Sequence, residues 1–148
     1  MEDLSKTLSY NYVFRGLPKE VVAGFAALAN VRDFMGGDVL VRQFDYNSDL
    51  LVILEGQARI KSFSGETLAE FGPGSIVGEI SLIDEQPRSA TVVAVGPVKA
   101  AVIGAEVLRG MMESDPKTAS TILMNVSRVL CKRLRTMNVH VDALSKDA

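Results

Sequence analysis

Apolar residues recur at helical intervals in the first part of the chain. Leu4, Leu8 and Tyr12 are each separated by four residues, which places their side chains on one face of a helix. A second set follows Pro18, a residue suited to the first turn of a helix, and consists of Val21, Val22, Phe25 and Leu28. The pattern predicts two short helices joined around residues 14–17.

Between Val31 and Ile103 the pattern changes to short runs rich in β-branched residues, separated by turn residues. The runs read VRDFM, DVLVRQ, DLLVILEG, ARIKSFS, TLAEF, SATVVAVG and VKAAVI. About eight strands at such short spacing are typical of a β-barrel or roll. This middle part therefore predicts the main body of the fold.

A helical pattern returns after Gly104. It predicts one helix that ends before Pro116 and a longer one from about Lys117 to His140. The predicted fold class is mainly β with flanking α-helices, in one domain over residues 1–148. Its parts are N-terminal helices in residues 1–29, a β-roll in residues 30–103 and C-terminal helices in residues 104–144.

Composition and charge narrow the class of protein. Hydrophobic residues make up 47% and charged residues 23% of the chain, which is ordinary for a globular domain. The net charge of −2 offers no broad positive surface, so direct DNA binding is not expected. Neither a secretory signal nor a run of about 18 apolar residues is present, which predicts a cytoplasmic protein without a membrane segment.

Cysteine and histidine each occur once. Cys131 excludes an internal disulfide, and we assign neither Cys131 nor His140 to a metal site or a nucleophilic dyad. We expect packing roles for both residues. No catalytic residue, metal or cofactor is therefore predicted.

The stretch GEISLIDEQPRSAT, residues 78–91, begins with residues suited to a sugar phosphate. Gly78 allows the backbone to approach a ligand closely, and Glu79 offers a carboxylate that accepts hydrogen bonds from sugar hydroxyls. Residues 80–84 are compact enough for one helical turn, whose free N–H groups favour an anion such as phosphate.

The end of the same stretch supplies the complementary groups. Arg88 has paired donors that suit a phosphate, and Ser89 adds a hydroxyl. Ala90 leaves room for a flat base. Ribose, phosphate and base therefore all find a plausible receptor within residues 78–91.

This stretch resembles the phosphate-binding cassette of the cyclic nucleotide-binding domain family. The helical start, the pair DLLVILEG and ARIKSF, and the approach FGPGS also follow the order of that family, over about residues 11–138. The resemblance implies an eight-stranded β-roll of jelly-roll type. It further implies a non-catalytic sensor that binds 3′,5′-cyclic AMP, with cyclic GMP possible, because Ser89 matches bacterial cyclic AMP binders.

The resemblance also implies the role of each cassette residue. Glu79 would hold the ribose 2′-hydroxyl, Arg88 would hold the exocyclic phosphate oxygens, and Gly78 would pack against the ribose. The backbone N–H groups of Ile80, Ser81 and Ser89 would complete the phosphate cradle. Ala90 would lie beside the base.

Plainer roles compete with these assignments. Glu79 and Arg88 could form a structural ion pair, and Ser89 could be a turn hydroxyl. Asp84 and Glu85 would repel a phosphate if they pointed inward, so we expect them to be solvated loop carboxylates without a ligand role.

The last predicted helix has two apolar faces. One could pack on the roll and consists of Ile122, Val126 and Val129. The other repeats at intervals of three, four and seven and forms a coiled-coil seam, made of Leu123, Leu130, Leu134, Met137, Val141 and Leu144. The alternative is that the seam residues pack only on the roll of the same chain. The presence of two apolar faces on one helix favours a homodimer.

This helix is similar to the dimerisation helix of bacterial catabolite-activator-type regulators. In that subfamily its C-terminal part contributes polar groups to the purine, and the matching positions here are Met137 and Asn138, of which Asn138 can bind a base edge. A basic stretch precedes them, which we expect to be mostly solvated although any member could reach the ligand: Arg128, Lys132, Arg133 and Arg135.

A DNA-binding domain follows this helix in those regulators, whereas the present sequence stops at Ala148. We therefore expect output through an unknown protein partner, a neighbouring chain or a missing part of a longer protein. The alternative function is a dimerisation or interaction module of the same fold that no longer responds to nucleotide. An excised regulatory fragment of a channel, kinase or transcription factor is also compatible with the sequence.

Overall fold

The structure is a computed structural model that describes residues 2–146, without the side chains of Glu2, Asp3, His140 and Lys146. Its helices are α1 (Glu2–Ser9), α2 (Lys19–Leu28), α3 (Glu79–Asp84), α4 (Ala105–Ser114) and α5 (Pro116–Lys146), with a 3₁₀ turn at Tyr12–Phe14. Its strands are β1 (Asn30–Phe34), β2 (Val39–Val41), β3 (Leu50–Lys61), β4 (Thr67–Phe71), β5 (Ile76–Val77) and β6 (Thr91–Ile103). The predicted fold class, mainly β with flanking helices, is confirmed.

The two N-terminal helices form where the apolar pattern predicts them. Leu8 and Phe25 are fully buried, and α2 starts directly after Pro18. Asn11 caps the 3₁₀ turn, because its side-chain oxygen accepts a hydrogen bond from the backbone N–H of Val13 at 2.9 Å. The Asn11 amide also donates to the carbonyl of Gly74 at 2.7 Å, which ties this turn to the roll.

The strands pair antiparallel around two long central ones. The order is β1, β6, β3, β4, while β2 pairs with β6 and β5 pairs with β3. The long pair runs from Leu50 opposite Ile103 to Lys61 opposite Thr91. Since β5 pairs through Val77 opposite Leu51, the start of the stretch 78–91 is fixed on one long strand and its end on the other.

The described residues form six strands, so the predicted eight-stranded roll is wrong in strand count. Two pairs of predicted strands are each one continuous strand that bends at a glycine. Gly56 in β3 has φ +92° and Gly96 in β6 has φ +78°, and the pairing register shifts on either side of Glu55. A glycine takes this conformation without steric cost, so the chain kinks within the strand instead of leaving the sheet.

Two apolar clusters occupy the two faces of the sheet. Alternate residues of β3 enter different clusters: Leu50 and Val52 pack with the helices, whereas Leu51 and Ile53 lie within the roll. This alternation is the period of two that a strand imposes on its side chains.

Helix α5 extends to Lys146, beyond the predicted end near His140, because the residues 141–146 include neither glycine nor proline. Ile122 and Val126 are buried and Val129 is partly buried against the core, which confirms the roll-facing side of this helix. No helix within residues 2–146 is long and apolar enough to span a membrane.

Candidate functional site

A cleft opens beside the stretch 78–91, where β5 passes into α3. It is lined by seven of the eight predicted ligand residues, namely Gly78, Glu79, Ile80, Ser81, Arg88, Ser89 and Ala90. The remaining lining comes from Val41, Ile60, Phe71, Val77, Val92 and Arg133. The cleft therefore has an apolar wall from the roll and a polar wall from α3 and the following loop.

Backbone geometry shapes the polar wall. Gly78 lies in the left-handed region with φ +92° and directly precedes α3, and Glu85 ends that helix with φ +57°. The backbone N–H groups at the start of this short helix have no partner within the helix, as at any helix N-terminus. The predicted turn at residues 80–84 is thus a helix that begins one residue earlier, at Glu79.

Arg88 is almost fully buried at the base of the cleft. Its Nη1 donates to the carbonyl of Gly78 at 3.0 Å, and its Nη2 donates to the carbonyl of Asp49 at 2.7 Å and to Oδ1 of Asn47 at 3.2 Å. Burial lowers the pKa of Arg88, while the nearby carboxylates of Asp49, Asp45 and Glu79 oppose that effect. The guanidinium is held in one orientation as a cation.

The loop between β2 and β3 also holds the backbone of Arg88. The N–H of Phe44 donates to the carbonyl of Arg88 at 2.9 Å, and the N–H of Arg88 donates to the carbonyl of Asp45 at 2.7 Å. Phe44 has φ +73°, a conformation that costs energy for a residue with a side chain. The loop therefore stores backbone strain at the point where it fixes Arg88.

Gly78 is required by the position of Arg88. A Cβ atom on Gly78 would collide with Nη1 of Arg88 and would lie 2.8 Å from the carbonyl oxygen of Asp49. The positive φ would add strain for any other residue. The sequence predicted a close approach of the Gly78 backbone to a ligand, which stays a prediction; in the structure the group nearest to a Cβ at this position is the Arg88 side chain.

Glu79 is 2% exposed and forms an ion pair with Arg133 of α5. The competing sequence interpretation, a structural ion pair between Glu79 and Arg88, is not what the described residues form. Arg88 uses backbone carbonyls and Asn47, while Nη1 of Arg133 donates to Oε1 of Glu79. The two cleft residues are thus held by different partners.

Arg133 reaches the cleft from the last helix. Its Nη2 donates to the carbonyl of Ile76 at 3.0 Å, and its guanidinium lies 4.7 Å from the ring centre of Phe71. The expectation of a solvated basic stretch is therefore wrong for this residue, which is about one-third exposed. A signal was available, because Arg133 follows the roll-facing Val126 by seven residues, two helical turns.

The cleft around Arg133 is small. Its void measures about 60 Å³, well below the roughly 300–1,000 Å³ of typical small-molecule pockets. The Arg133 side chain is one of the groups that fill the space above Glu79. Any group that enters the cleft would therefore lie against Arg133.

Asn138, the eighth predicted ligand residue, does not line the cleft. It is exposed on α5, five residues beyond Arg133, and the neighbouring Met137 is 49% exposed. Within one chain the structure does not bring Asn138 together with the cassette. Its role as a base contact stays a prediction.

The acidic residues at the end of α3 do not line the cleft. Asp84 is exposed and its Oδ1 accepts a hydrogen bond from the N–H of Gln86 at 3.0 Å. Glu85 is also exposed and lies 3.6 Å from Nε of Arg109.

Within the part of the chain that the structure describes, no group of three or more His, Cys, Asp or Glu side chains could hold a metal ion. The side chain of His140 lies outside the described residues.

The chain matches the cyclic nucleotide-binding domain family over residues 31–115. It is 31% identical over 137 residues to the cyclic AMP receptor protein of Thermus thermophilus, covering 90% of this chain and 62% of that protein. It is also 30% identical over 129 residues to glutaminase 2 of Bradyrhizobium diazoefficiens, covering 87% of this chain and 20% of that protein. The chain thus spans less than two thirds of either curated relative.

Solved structures agree on the fold. A cyclic nucleotide-binding domain from Methylobacillus flagellatus superposes with a TM-score of 0.78 at 29% identity, covering 91% of this chain and 78% of that chain.

Proposed function

Because the chain belongs to the cyclic nucleotide-binding domain family, we propose that it is a non-catalytic sensor of 3′,5′-cyclic nucleotides. Cyclic AMP is the proposed ligand, with cyclic GMP as the second candidate. Ligand occupancy would be passed to a protein partner through α5. The proposed location is the cytoplasm, as predicted from the sequence.

One observation supports this function above the others. A buried arginine and a buried carboxylate, Arg88 and Glu79, face the same cleft with the start of α3 between them. The arginine and the helical N–H groups suit the phosphate, and the carboxylate suits a ribose hydroxyl. A cyclic nucleotide presents these two groups on one rigid ring system.

The remaining cleft groups have proposed roles of their own. Backbone N–H groups of Ile80, Ser81 and Ser89 would complete the phosphate cradle, and Ala90 would border the base. Ser89 and the name of the Thermus relative, a cyclic AMP receptor, favour adenine. In the alternative, a module of the same fold without nucleotide response, the buried cation of Arg88 would be held by backbone carbonyls and Asn47 with no anion bound at the cleft.

The proposed contact between Glu79 and the ribose can be tested with a ligand that lacks the 2′-hydroxyl. Wild-type protein should bind 2′-deoxy cyclic AMP about tenfold or more weakly than cyclic AMP, the effect of removing one hydrogen bond to a charged group. In the variant Glu79→Gln this difference should shrink to about threefold or less, because the amide oxygen that replaces the carboxylate accepts only an uncharged, weaker hydrogen bond from the 2′-hydroxyl. Calorimetric titration of the four combinations measures this coupling.

Glu70→Gln is the matched control, since Glu70 is an exposed carboxylate on β4 that pairs with Arg59. This variant should retain the wild-type preference for the 2′-hydroxyl. Equal affinity of the wild-type protein for the two ligands would show that Glu79 does not bind the ribose 2′-hydroxyl.

We propose that two copies of the chain pair through the exposed seam of α5. Leu134 is 61%, Val141 52% and Leu144 58% exposed in the single chain. These residues share one side of the helix with Leu123 and Met137, whereas Leu130 of the predicted seam packs partly against the core. Apolar side chains at heptad spacing that leave the core in this way suit a coiled-coil partner.

The proposed seam predicts that one charged side chain placed within it weakens the dimer. Leu134→Glu should raise the dissociation constant of the dimer about a hundredfold, because two carboxylates would be buried together at the interface. Light scattering coupled to size-exclusion chromatography measures the change. Val139→Glu, at a position that is 71% exposed and off the seam, should remain dimeric, and equal dissociation of both variants would refute the proposed seam.

A further inference from the structure

A second cavity, separate from the cleft, also borders Arg88. Its void measures about 240 Å³, compared with about 60 Å³ for the cleft. At roughly 30 Å³ for each water molecule, this space has room for about eight waters. Its walls come from β1, β2, the loop between β2 and β3, and the strands β3 and β6, and it shares Val41 and Arg88 with the cleft. The cavity is therefore large enough for a small molecule.

Two arginines with free side chains line this cavity. They are Arg32 of β1 and Arg42, which directly follows β2. Among residues 2–146 neither guanidinium takes part in an ion pair. Arg32 lies 5.2 Å from the ring centre of Phe34, a cation–π contact that leaves its N–H donors available. Each guanidinium thus keeps the paired donors that match the two oxygens of a carboxylate.

The other charged groups of the cavity are already engaged. Both N–H bonds of Nη2 of Arg88 are used, since this nitrogen donates to Oδ1 of Asn47 and to the carbonyl of Asp49. Oδ1 of Asp49 accepts from the N–H of Ala105 at 2.9 Å, and the carboxylates of Asp49 and Asp45 both favour the charged form of Arg88. With the two free arginines, the lining carries three positive and two negative groups. One positive charge is therefore in surplus.

The cavity also has an apolar wall. Leu51 of β3 and Val102 of β6 are buried and lie opposite each other in the sheet, and Val39 and Leu40 of β2 are partly buried beside them. An inorganic anion would leave this wall in contact with water. A molecule with a hydrocarbon middle and a charged group at each end would cover the wall and also reach both free guanidinium groups.

We propose that this cavity binds a small dicarboxylate. Its two carboxylates pair with Arg32 and Arg42, and its methylene chain packs on the apolar wall. The proposal goes beyond the nucleotide sensor and does not depend on it, because neither arginine lines the cleft. Both arginines are exposed, so the affinity should be modest, with a dissociation constant on the order of 0.1–1 mM at low ionic strength.

A ligand series tests the match of two carboxylates to two arginines. Wild-type protein labelled with ¹⁵N is titrated with succinate, glutarate and adipate, and with butyrate and inorganic phosphate for comparison, at one low ionic strength. One of the dicarboxylates should shift the amide signals of residues 39–49 in a saturable manner. It should bind about fivefold or more tightly than butyrate, which has one carboxylate, and than phosphate, which has no hydrocarbon chain.

Four variants test the charges. Arg32→Gln and Arg42→Gln should each weaken binding of the preferred dicarboxylate about tenfold, because each removes a charged hydrogen-bonding partner. Asp45→Asn should strengthen it about threefold, since a repelling carboxylate is lost from the lining. Arg59→Gln is the control, because it removes the same charge from an exposed arginine of β3 outside the cavity, and it should keep wild-type affinity. The amide spectrum shows that each variant is folded.

The sign and the position of each effect decide the outcome. The proposal would be overturned by the absence of saturable shifts, by equal binding of butyrate or phosphate, by an equal loss in Arg59→Gln, or by weaker binding in Asp45→Asn. Cyclic AMP binding without dicarboxylate binding would overturn this proposal and leave the nucleotide sensor intact. Dicarboxylate binding without nucleotide binding would have the opposite consequence.

Discussion

Replacing Gly78 with alanine should abolish measurable cyclic AMP binding and lower the free energy of unfolding by about 2–4 kcal/mol. Two separate effects add at this position. An alanine must adopt φ +92°, and its Cβ would collide with the guanidinium of Arg88. Since the backbone carbonyl of Asp49 also lies 2.8 Å from that Cβ, Arg88 cannot simply move aside and keep its present bonds.

Gly65→Ala separates these two effects. Gly65 has φ +89° in the hairpin turn between β3 and β4, and a Cβ there would meet nothing within 4 Å. This variant should therefore lose only about 1 kcal/mol from backbone strain and keep its affinity for cyclic AMP. Chemical denaturation and calorimetric titration of both variants measure the difference. Equal stability losses in the two variants, with nucleotide binding intact, would show that Gly78 does not serve Arg88.

The substitution Arg88→Ala should weaken cyclic AMP binding by about a thousandfold. The variant removes the buried cation for the phosphate and leaves the carbonyls of Gly78 and Asp49 without their donor. Removing one partner of a charged, hydrogen-bonded pair in a desolvated site typically costs about 3–5 kcal/mol. Titration calorimetry measures the affinity, and a thermal melt followed by circular dichroism shows whether the variant is folded.

Arg88→Lys distinguishes the charge from the shape of the guanidinium. A lysine keeps the positive charge but cannot make the paired contacts of Arg88, so its affinity should fall between those of alanine and wild type. Arg59→Ala is the control, because Arg59 lies on β3 in an exposed pair with Glu70. Wild-type affinity in a folded alanine variant at residue 88 would exclude Arg88 from the phosphate site.

The sequence predicted the parts of the site that are close together along the chain. Gly78, Glu79 and Arg88 fall within one stretch of 14 residues, residues 78–91, whose turn and helix signals are local. The order of helices and strands could also be predicted from the sequence, because the spacing of apolar residues changes near Val31 and again after Gly104. Seven of the eight proposed ligand residues consequently line one cleft.

Contacts between distant segments were not predictable in the same way. Arg133 reaches Glu79 across 54 residues of sequence, and Asp49 reaches Ala105 across 56. Both contacts depend on how α4 and α5 pack on the roll. The seven-residue spacing from Val126 indicated that Arg133 faces the roll, but no local pattern specifies Glu79 or Ala105 as the partner residue. The strand count was wrong for a local reason, since two predicted strands were ended at Gly56 and Gly96, although each glycine only bends a continuous strand.

Calorimetric titration of the wild-type protein with cyclic AMP, and in parallel with cyclic GMP, shows whether the chain is a cyclic nucleotide sensor. The proposed sensor predicts saturable binding of one cyclic AMP per chain, with weaker binding of cyclic GMP. If neither nucleotide binds, the chain is not a sensor of these ligands. The fold would then be a dimerisation or interaction module without nucleotide response.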